Sequence, residues 1–566
     1  MKRVRAGCTG AARAATAAAT VAALLATTAL AGCTARDAVG NTAALTPDDL
    51  ISSTPAGTTG VDEVTWGLAE GEPAQLAPGA DYNYVTPNLC ESLLRVTPDF
   101  GVENGVASFA DWVDPVTFRI RLREGVTFWD GSPVTPADVV YSLERDRDER
   151  SAYYGGTVLI VPGPDGIAVT GKNEVTVRFI APDTTFRDLL SGGGGAVMSK
   201  AYGEQEGEAL GTSSGGLMCT GPYKLRSWTP GKEIVTVANE DYWDGAPKVG
   251  KLTYRFIADG TTMTNALLAG EIDGAYNVVA ANRSQFERSD EGRLLVGPST
   301  ASLSFGPMRA DGLGADPRIR EALSMAVDRD SYISTVLRGL GTAQSTFVAP
   351  FAWEGTEDED ALAVYRDGYD SLPEPTLDID GARKLVDEVA ADGVDTGQKI
   401  VAVIPAGNRM LANTAAILQS AAEKIGLTVT IDERQATDYA AIFADPFNES
   451  VRASGDLVIA TGYTEIPGVL TYPQLMLMPV ELGGIFNWTN YDDATVIDAL
   501  QGARSIPDAK GAATAYVDAQ ARFTPDQAQV TLAGAYQTSY LADDLTGIVT
   551  SISAYSSPWA LHLGGK

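Results

Sequence analysis

Between residues 115 and 145 the sequence changes from a two-residue hydrophobic period to the opening of a helix, and this change constrains the fold class most. Four apolar residues alternate with polar ones, which predicts a half-buried strand: Val116, Phe118, Ile120 and Leu122. Residues 129–133 (WDGSP) have the composition of a turn. Thr135 then has the position of an N-cap, because Pro136 and Asp138 follow it as in a helix opening. Such strand–turn–helix units indicate an α/β protein.

The same alternation returns later in the chain. Asp316-Pro317 opens a second helix, which we expect to extend to near Gly339. Its predicted apolar face contains Ile319, Ala322, Leu323, Ala326 and Val327. Residues 412–424 have a helical pattern that Gly426 ends, and strand alternation resumes at Leu427, Val429 and Ile431. Several such units support the α/β prediction.

The first 32 residues have the layout of a secretory signal peptide. They begin with basic residues and no acidic one, and an Ala-rich apolar run follows from Ala14 to about Ala31. The run Leu30-Ala31-Gly32-Cys33 resembles the lipobox of bacterial lipoproteins, in which Cys33 would be acylated and become the mature N-terminus. The alternative is an uncleaved membrane-spanning helix, since about 17–25 apolar residues can cross a bilayer.

A lipidated Cys33 predicts a protein anchored to the outer face of the cell membrane, because two or more acyl chains hold a protein there stably. Residues 33–60 are small, polar and rich in Pro, Gly and Thr, which predicts a flexible tether. The roughly 500 residues beyond it are too many for one hydrophobic core and enough for two or three.

The charge balance argues against a nucleic-acid partner. Removing the four positive charges of the leader moves the net charge from -31 to -35. Phosphate binding needs clustered Lys and Arg, which an acidic surface does not offer. We interpret the negative charge as favouring solubility outside the cell.

The cysteine count leaves one pair. Cys8 would leave with the leader and Cys33 would carry lipid, so Cys90 and Cys219 remain in an oxidising compartment. A disulfide between them would close a loop of about 130 residues and contribute roughly 4–5 kcal/mol in the chain-entropy model. Two separate buried thiols are the alternative.

The sequence does not favour an enzyme. Its one histidine is His562. Residues 211–215 (GTSSG) match the G-x-S-x-G pattern but lack the strand before it that a nucleophile elbow requires. The glycine run at 191–195 lacks the Lys-Ser/Thr of a phosphate loop, and no His/Cys cluster offers a metal site. We therefore predict binding without catalysis, metal or cofactor.

Six segments, in order, resemble the extracellular solute-binding proteins of family 5, the oligopeptide and dipeptide binders of ABC importers. The similarity extends over about residues 62–560. The segments are FRIRLREGVTFWDGSPVTPADVVYSLER (118–145), CTGPYKLRSW (219–228), ANEDYWDGAPKV (238–249), LLAGEIDGAY (267–276), DPRIREALSMAVDRDSYI (316–333) and LQSAAEKIGLTVTI (418–431).

The resemblance implies a two-lobed, periplasmic-binding-protein-like α/β fold of type II with an extra third domain. It further implies a monomer that closes on a small solute and delivers it to the permease subunits of an importer. The implied ranges are 61–96, 200–297 and 536–566 for lobe I, 97–199 for the extra domain, and 298–535 for lobe II.

The resemblance also implies three groups of ligand-binding residues. The first follows Asp81 in a stretch that lines the cleft, the second lies where relatives carry Gly-Trp-x-Ala-Asp, and the third belongs to a further cleft segment. They are Tyr82, Asn83 and Tyr84; Tyr463, Thr464 and Glu465; and Asn487 and Trp488. Glu465 is the carboxylate nearest to the position at which the family's Asp pairs with a peptide's α-amino group.

We therefore expect an oligopeptide ligand. The alternatives are an oligosaccharide or another neutral solute in the same fold, or a ligand sensor without its own permease.

Overall fold

The computed structural model describes residues 43–80, 83–149, 151–373, 376–444, 449–462, 468–488 and 490–566, and it confirms the α/β class. The strands are β1 Val61–Leu68, β2 Leu94–Val96, β3 Val102–Asn104, β4 Ala107–Asp114, β5 Thr117–Leu122, β6 Ile167–Gly171, β7 Glu174–Arg178, β8 Tyr223–Thr229, β9 Glu233–Ala238, β10 Val249–Phe256, β11 Gly274–Tyr276, β12 Gly292–Gly297, β13 Ser302–Pro307, β14 Gly341–Ala343, β15 Lys399–Pro405, β16 Thr428–Arg434, β17 Leu457–Gly462, β18 Val530–Ala535, β19 Gln537–Ala542, β20 Leu545–Thr546 and β21 Gly564–Gly565.

The α-helices lie between these strands. They are α1 Thr86–Leu89, α2 Pro136–Arg145, α3 Phe186–Leu189, α4 Lys200–Glu206, α5 Gly260–Leu268, α6 Arg283–Phe286, α7 Pro317–Met325, α8 Arg329–Thr335, α9 Phe351–Glu354, α10 Glu359–Asp370, α11 Ile379–Ala391, α12 Arg409–Lys424, α13 Ala436–Ala444, α14 Glu449–Arg452, α15 Thr471–Leu477, α16 Ala494–Ser505 and α17 Ala509–Phe523.

The strand–turn–helix unit predicted near residue 120 is confirmed. The alternating residues Phe118, Ile120 and Leu122 of β5 are buried, whereas Val116, predicted with them, precedes the strand and is exposed. Thr135 and Asp138 form a capping box before α2, in which the Asp138 carboxylate accepts from the Thr135 hydroxyl at 2.6 Å and from its N–H at 2.9 Å. The cap satisfies N–H groups that would otherwise have no partner at the helix start.

The single helix predicted from residue 317 to near Gly339 is wrong, because the structure has two. α7 ends at Met325, and Asp328 then caps α8 by accepting from the Ser331 N–H at 2.9 Å. An Asp side chain can accept from backbone N–H groups, and it therefore favours the start of a new helix over continuation of α7.

A seven-stranded sheet is built around β1. Its order is β12-β19-β11-β1-β10-β9-β8, and β1 is parallel to both of its neighbours. β12 has the same direction as β1, because both β12 and β11 are antiparallel to β19. The carboxyl ends of β1, β10, β11 and β12 therefore lie at one edge of this sheet.

A six-stranded sheet has the order β14-β18-β13-β17-β15-β16. β15 is parallel to β16 and β17, whereas β13 is antiparallel to β17 and β18. The carboxyl ends of β15, β16, β17 and β18 therefore lie at the edge where β13 begins.

Two chain segments join the sheets at these edges. Residues 298–301 connect β12 to β13, and Tyr536 connects β18 to β19. The segments are neighbours, since Gly297 pairs with Gln537 on one side and the Ala535 N–H donates to the Ala301 carbonyl at 3.0 Å. We call 298–301 and Tyr536 the crossing segments.

A third, four-stranded antiparallel sheet of order β4-β5-β7-β6 has its own hydrophobic core. The predicted division into lobe I, extra domain and lobe II stays a prediction. Under that division, the seven-, four- and six-stranded sheets belong to lobe I, the extra domain and lobe II, respectively.

The predicted flexible tether is wrong for residues 43–60, which are part of the folded unit Thr42–Lys566. The N–H groups of Leu45, Ile51 and Thr54 donate to the carbonyls of Gly339, Val296 and Ile548 at 2.9–3.0 Å. The backbone makes these bonds, so the low apolar content of the segment does not prevent it from packing. Residues 33–42, Cys33 and the leader lie outside the described residues.

Across the described ranges, no helix combines the length and apolar character that crossing a membrane would need.

We expect the buried carboxyl of Asp146 to make stability depend on pH. Burial raises the pKa of Asp146 from 3.8 to about 8, although the Ser151 hydroxyl, which donates to it at 3.1 Å, lowers it again in part. The folded protein then holds a proton that the unfolded chain loses above about pH 4, so stability falls as pH rises from about 4 to about 8. Asp146→Asn should therefore raise Tm at pH 8 and change it little at pH 4.

Thermal unfolding of both proteins at the two pH values measures this effect. Asp165→Asn, at an exposed aspartate of the same region, is the matched control. Equal Tm differences at both pH values would show that Asp146 does not carry the proton.

Candidate ligand-binding cleft

The carboxyl ends of parallel strands from both large sheets meet at the crossing segments. Ligands of open α/β sheets bind outside such carboxyl ends, where neighbouring connections leave in opposite directions. The carboxyl end of β1 is such a location, because its parallel neighbours β10 and β11 lie on opposite sides of it. Glu70 follows β1, Asn277 follows β11 and Asp259 follows β10. From the six-stranded sheet, Arg409 follows β15 as the first residue of α12.

Asp259 and Arg409 are oppositely charged residues that follow strands of the two different sheets. The pKa of Asp259 is lowered first by the hydroxyl and N–H of Thr262, which donate to its carboxylate at 2.7 and 2.8 Å. The Arg409 guanidinium lowers the same pKa from the opposite sheet. The strand ends of the two sheets therefore carry charges of opposite sign.

Five side chains form a polar group on the seven-stranded side, which we call the cleft cluster: Glu70, Tyr84, Asn277, Gln537 and Tyr555. The Asn277 amide donates to Glu70 Oε1 and to the Tyr555 hydroxyl, the latter at 3.3 Å. Its Oδ1 accepts from Gln537 Nε2 at 3.1 Å and from the Tyr84 hydroxyl at 3.5 Å. Donors and acceptors on both sides thus fix the orientation of the amide.

Asn277 has an unusual backbone conformation. Its φ is +55°, in the left-handed region that Asn tolerates better than most residues. Its N–H donates to the Thr538 carbonyl at 2.8 Å, so the turn after β11 is tied to β19.

Tyr84, a predicted ligand-binding residue, is almost fully buried in an aromatic stack. Its ring centroid lies 4.0 Å from that of Tyr555 and 4.4 Å from that of Tyr276. Burial, followed by the Glu70 carboxylate, raises the pKa of Tyr84 well above its usual range. Tyr555, on the open side of this stack, is only half-buried. Tyr84 therefore supports the cleft surface from beneath.

Asn83 directs its amide to the backbone. Its Oδ1 accepts from the N–H groups of Val85 and Thr86 at 3.0 and 2.8 Å, which supports the start of α1. Its predicted contact with ligand stays a prediction. Tyr82 lies outside the described residues.

Tyr463, Thr464 and Glu465 also lie outside the described residues, directly after β17. The last residue of that strand, Gly462, has no room for a side chain, because a Cβ atom would lie 2.2 Å from the Tyr472 hydroxyl. The Ser302 hydroxyl donates to the Gly462 carbonyl at 3.3 Å. β17 therefore ends beside the first crossing segment.

Asn487 and Trp488 take part in local structure. The Asn487 amide donates to the Met478 and Tyr491 carbonyls at 3.1 and 2.9 Å. Trp488 is 8% exposed and lies 5.4 Å from the Phe443 ring, in the same apolar cluster as Val403. Their ligand contacts stay a prediction.

Cys90 and Cys219 form a disulfide, which is one of the two alternatives left open by the sequence. Cys90 directly follows α1, so the bond anchors the segment that carries Asn83 and Tyr84. The Gly221 N–H donates to the Leu89 carbonyl at 2.7 Å and ties the same two segments.

The G-x-S-x-G segment at 211–215 forms a turn, as expected. In the ranges that the structure describes, no three His, Cys, Asp or Glu side chains are grouped so that they could hold a metal ion.

Glu70, Asn277 and Tyr555 were not predicted from the sequence. Position relative to the strands could have found the first two, since each is a polar residue just beyond the end of a parallel strand. Tyr555 has no such signal, because it reaches the cluster from a distant part of the chain.

Comparisons with known proteins identify the family of the chain. Residues 85–464 match the family model described as bacterial extracellular solute-binding proteins, family 5. Protein XP55 of Streptomyces lividans is 26% identical over 522 residues, which cover 88% of each chain. The oligopeptide-binding protein AppA of Bacillus subtilis is 23% identical over 429 residues, which cover 73% of this chain and 74% of AppA.

A solved structure has the same fold. The periplasmic binding protein DppA from Helicobacter pylori, in complex with the peptide STSA, superimposes with a TM-score of 0.76 at 18% identity. The match covers 90% of this chain and 98% of DppA. The two-lobed periplasmic-binding-protein fold is thereby confirmed.

Proposed function

Because the chain belongs to family 5 of the bacterial extracellular solute-binding proteins, we propose that it captures an oligopeptide outside the cytoplasm and delivers it to the permease subunits of an ABC importer. One observation carries this proposal: the carboxyl ends of parallel strands from two sheets lie at the edges that the two short crossing segments join. The protein would bind its ligand and release it unchanged.

The crossing segments suit a closing motion. A pair of neighbouring connecting segments lets two lobes rotate relative to each other while each sheet stays intact. A ligand drives closure to the extent that it binds the closed state more tightly. We infer that the permease recognises the closed form.

A peptide fits such a cleft through its backbone. Its regular N–H and C=O groups can form strand-like hydrogen bonds with cleft edges, while side chains lie in hydrated pockets. Two similar proteins support this ligand class, since AppA is named for oligopeptide binding and DppA was solved with a peptide.

The anchor and the remaining site residues belong to the same proposal. Cys33 would carry the lipid that holds a monomer at the outer face of the membrane. Tyr463, Thr464 and Glu465, after β17, would contact the ligand from lobe II.

Native mass spectrometry of the protein purified from its own cells tests the proposal. We expect a ladder of co-purified peptide masses released on denaturation. The same spectra should give a polypeptide that begins at acylated Cys33.

A single sugar mass, or a product made from an added peptide, would contradict the proposed function. A precursor that retains residues 1–32 would contradict the anchor but leave the ligand class standing.

A further inference from the structure

The segment before β1 contacts both large sheets beside the crossing segments. We call residues 43–54 the strap. Its Ile51 N–H donates to the Val296 carbonyl of β12 at 3.0 Å, and its Leu45 N–H donates to the Gly339 carbonyl at 2.9 Å. β12 is an edge strand of the seven-stranded sheet, and Gly339 leads into β14, an edge strand of the six-stranded sheet. The strap therefore joins the edges of the two sheets.

We propose that the strap is an additional, noncovalent link between the two large sheets and restrains their relative motion at the crossing segments. The crossing segments are continuous chain and cannot come apart, whereas the strap can detach and rebind. This inference goes beyond the proposed function, because it concerns how freely the sheets move and not which solute is bound.

One buried guanidinium connects the strap to both sides. Arg283 of α6 is 7% exposed, and its Nη1 donates to the Ala43 carbonyl at 3.0 Å and to the Arg338 carbonyl at 2.9 Å. Its Nε donates to the Glu287 carboxylate at 2.6 Å. α6 directly precedes β12, and Arg338 lies between α8 and β14. Displacing the strap would take one acceptor from a buried charged donor, which costs more than losing a neutral hydrogen bond.

Apolar side chains attach the strap at the same place. Leu45 and Leu50 pack against a buried cluster of Val296, Leu340 and Tyr536. Val296 belongs to β12, Leu340 directly precedes β14, and Tyr536 is one of the two crossing segments. The Tyr536 hydroxyl also donates to the Leu45 carbonyl at 3.4 Å. The strap thus packs against both sheet edges and against a connection between them.

The strap is short and internally fixed. The N–H and the hydroxyl of Thr46 each donate to the Asp49 carboxylate at 2.8 Å, which caps a 3-10 turn at Pro47–Asp49. This turn takes up chain between the attachments at Leu45 and Ile51, so the edges cannot separate far without breaking a bond in the strap. The side chains of residues 43–54 are exposed or half-buried, so the strap can detach while both sheets stay folded.

Leu45→Asp tests the proposal by detaching the strap. Burial, followed by the carboxylates of Asp49 and Glu354, raises the pKa of Tyr536 to about 12. A further carboxylate at position 45 would be desolvated against the apolar cluster and repelled by those of Asp49 and Glu354. The strap of this variant should therefore leave the cluster.

Pulsed electron paramagnetic resonance between spin labels at Glu240→Cys and Lys384→Cys measures the displacement of the sheets. The first site is exposed in the connection between β9 and β10, and the second, on α11, is 79% exposed. All proteins are mature chains that carry Cys33→Ser, so that the introduced cysteines take the labels. We expect Leu45→Asp to raise the ratio of displaced to undisplaced molecules about tenfold, because the hydrogen bonds and apolar contacts of the strap are lost.

Ile51→Asp is the matched control, because it makes the same kind of change in the strap at a side chain that is 41% exposed and leaves the backbone bond to Val296 in place. It should give the distance distribution of the labelled protein without it. Leu50→Asp, at the other leucine of the strap, should act as Leu45→Asp does.

An unchanged distance distribution in both leucine variants would overturn the proposal. Equal broadening in Ile51→Asp would also overturn it, since added charge rather than detachment would then displace the sheets. The measurement uses no ligand, so either result would leave the proposed function standing.

Discussion

Replacing Asp183 by Asn is expected to lower the free energy of unfolding by about 3–5 kcal/mol. Asp183 and Arg504 form a buried two-point ion pair, with Nε–Oδ1 at 2.8 Å and a second N–O distance of 2.5 Å, and their side chains are 0% and 2% exposed. The substitution would leave a guanidinium buried without its counter-charge, and that desolvation is not compensated. Urea denaturation followed by circular dichroism measures the loss.

The exposed pair of Lys510 and Asp360 provides the control. Its nitrogen and oxygen lie 3.4 Å apart, but the side chains are 55% and 76% exposed. Asp360→Asn should cost less than about 1 kcal/mol, because water screens exposed pairs. Similar losses for both variants would show that burial does not set the strength of the Asp183–Arg504 pair.

The same pair connects two of the predicted domains. Asp183 lies in the predicted extra domain and Arg504 in α16 of predicted lobe II. Arg504 also donates to the Gly155 carbonyl at 3.2 Å, and its own carbonyl accepts from the Thr184 N–H at 2.9 Å. The ion pair and these two bonds therefore join the predicted extra domain to predicted lobe II.

Loss of the Cys90–Cys219 disulfide is expected to cost about 4–5 kcal/mol. The bond joins residues 129 apart in sequence, so breaking it frees a long loop in the unfolded chain. The double variant Cys90→Ala, Cys219→Ala should show this loss in urea denaturation.

Reduction provides an independent check. Dithiothreitol should lower the stability of the unmodified mature protein to near that of the double variant, and it should leave the double variant unchanged. Equal stability of the oxidised and reduced unmodified protein would contradict the expected contribution.

Local patterns in the sequence predicted much of the fold. The alternation at Phe118, Ile120 and Leu122 and the cap at Thr135 depend on residues close in the chain, so they could be recognised directly. The break before α8 was missed because Asp328 fits a helix face as well as a cap. Residues 43–60 were wrongly predicted to be flexible, because side-chain composition does not reveal their backbone hydrogen bonds to Val296 and Ile548.

The candidate site was less predictable for a topological reason. Glu70, Asn277 and Tyr555 are separated by some 200 to 500 residues and meet only because strand order brings their segments together. Tyr84 was predicted through family resemblance, but no local pattern indicates that its ring is buried beneath Tyr555.

The positions of β18 and β19 have a consequence for synthesis. Each lies inside its sheet, β18 between β14 and β13 and β19 between β12 and β11, yet together they occupy residues 530–542. A nascent chain can therefore complete neither sheet until this late segment has left the ribosome. Such long-range pairing folds slowly, so the polypeptide would remain a substrate for chaperones and for the translocation machinery throughout translation.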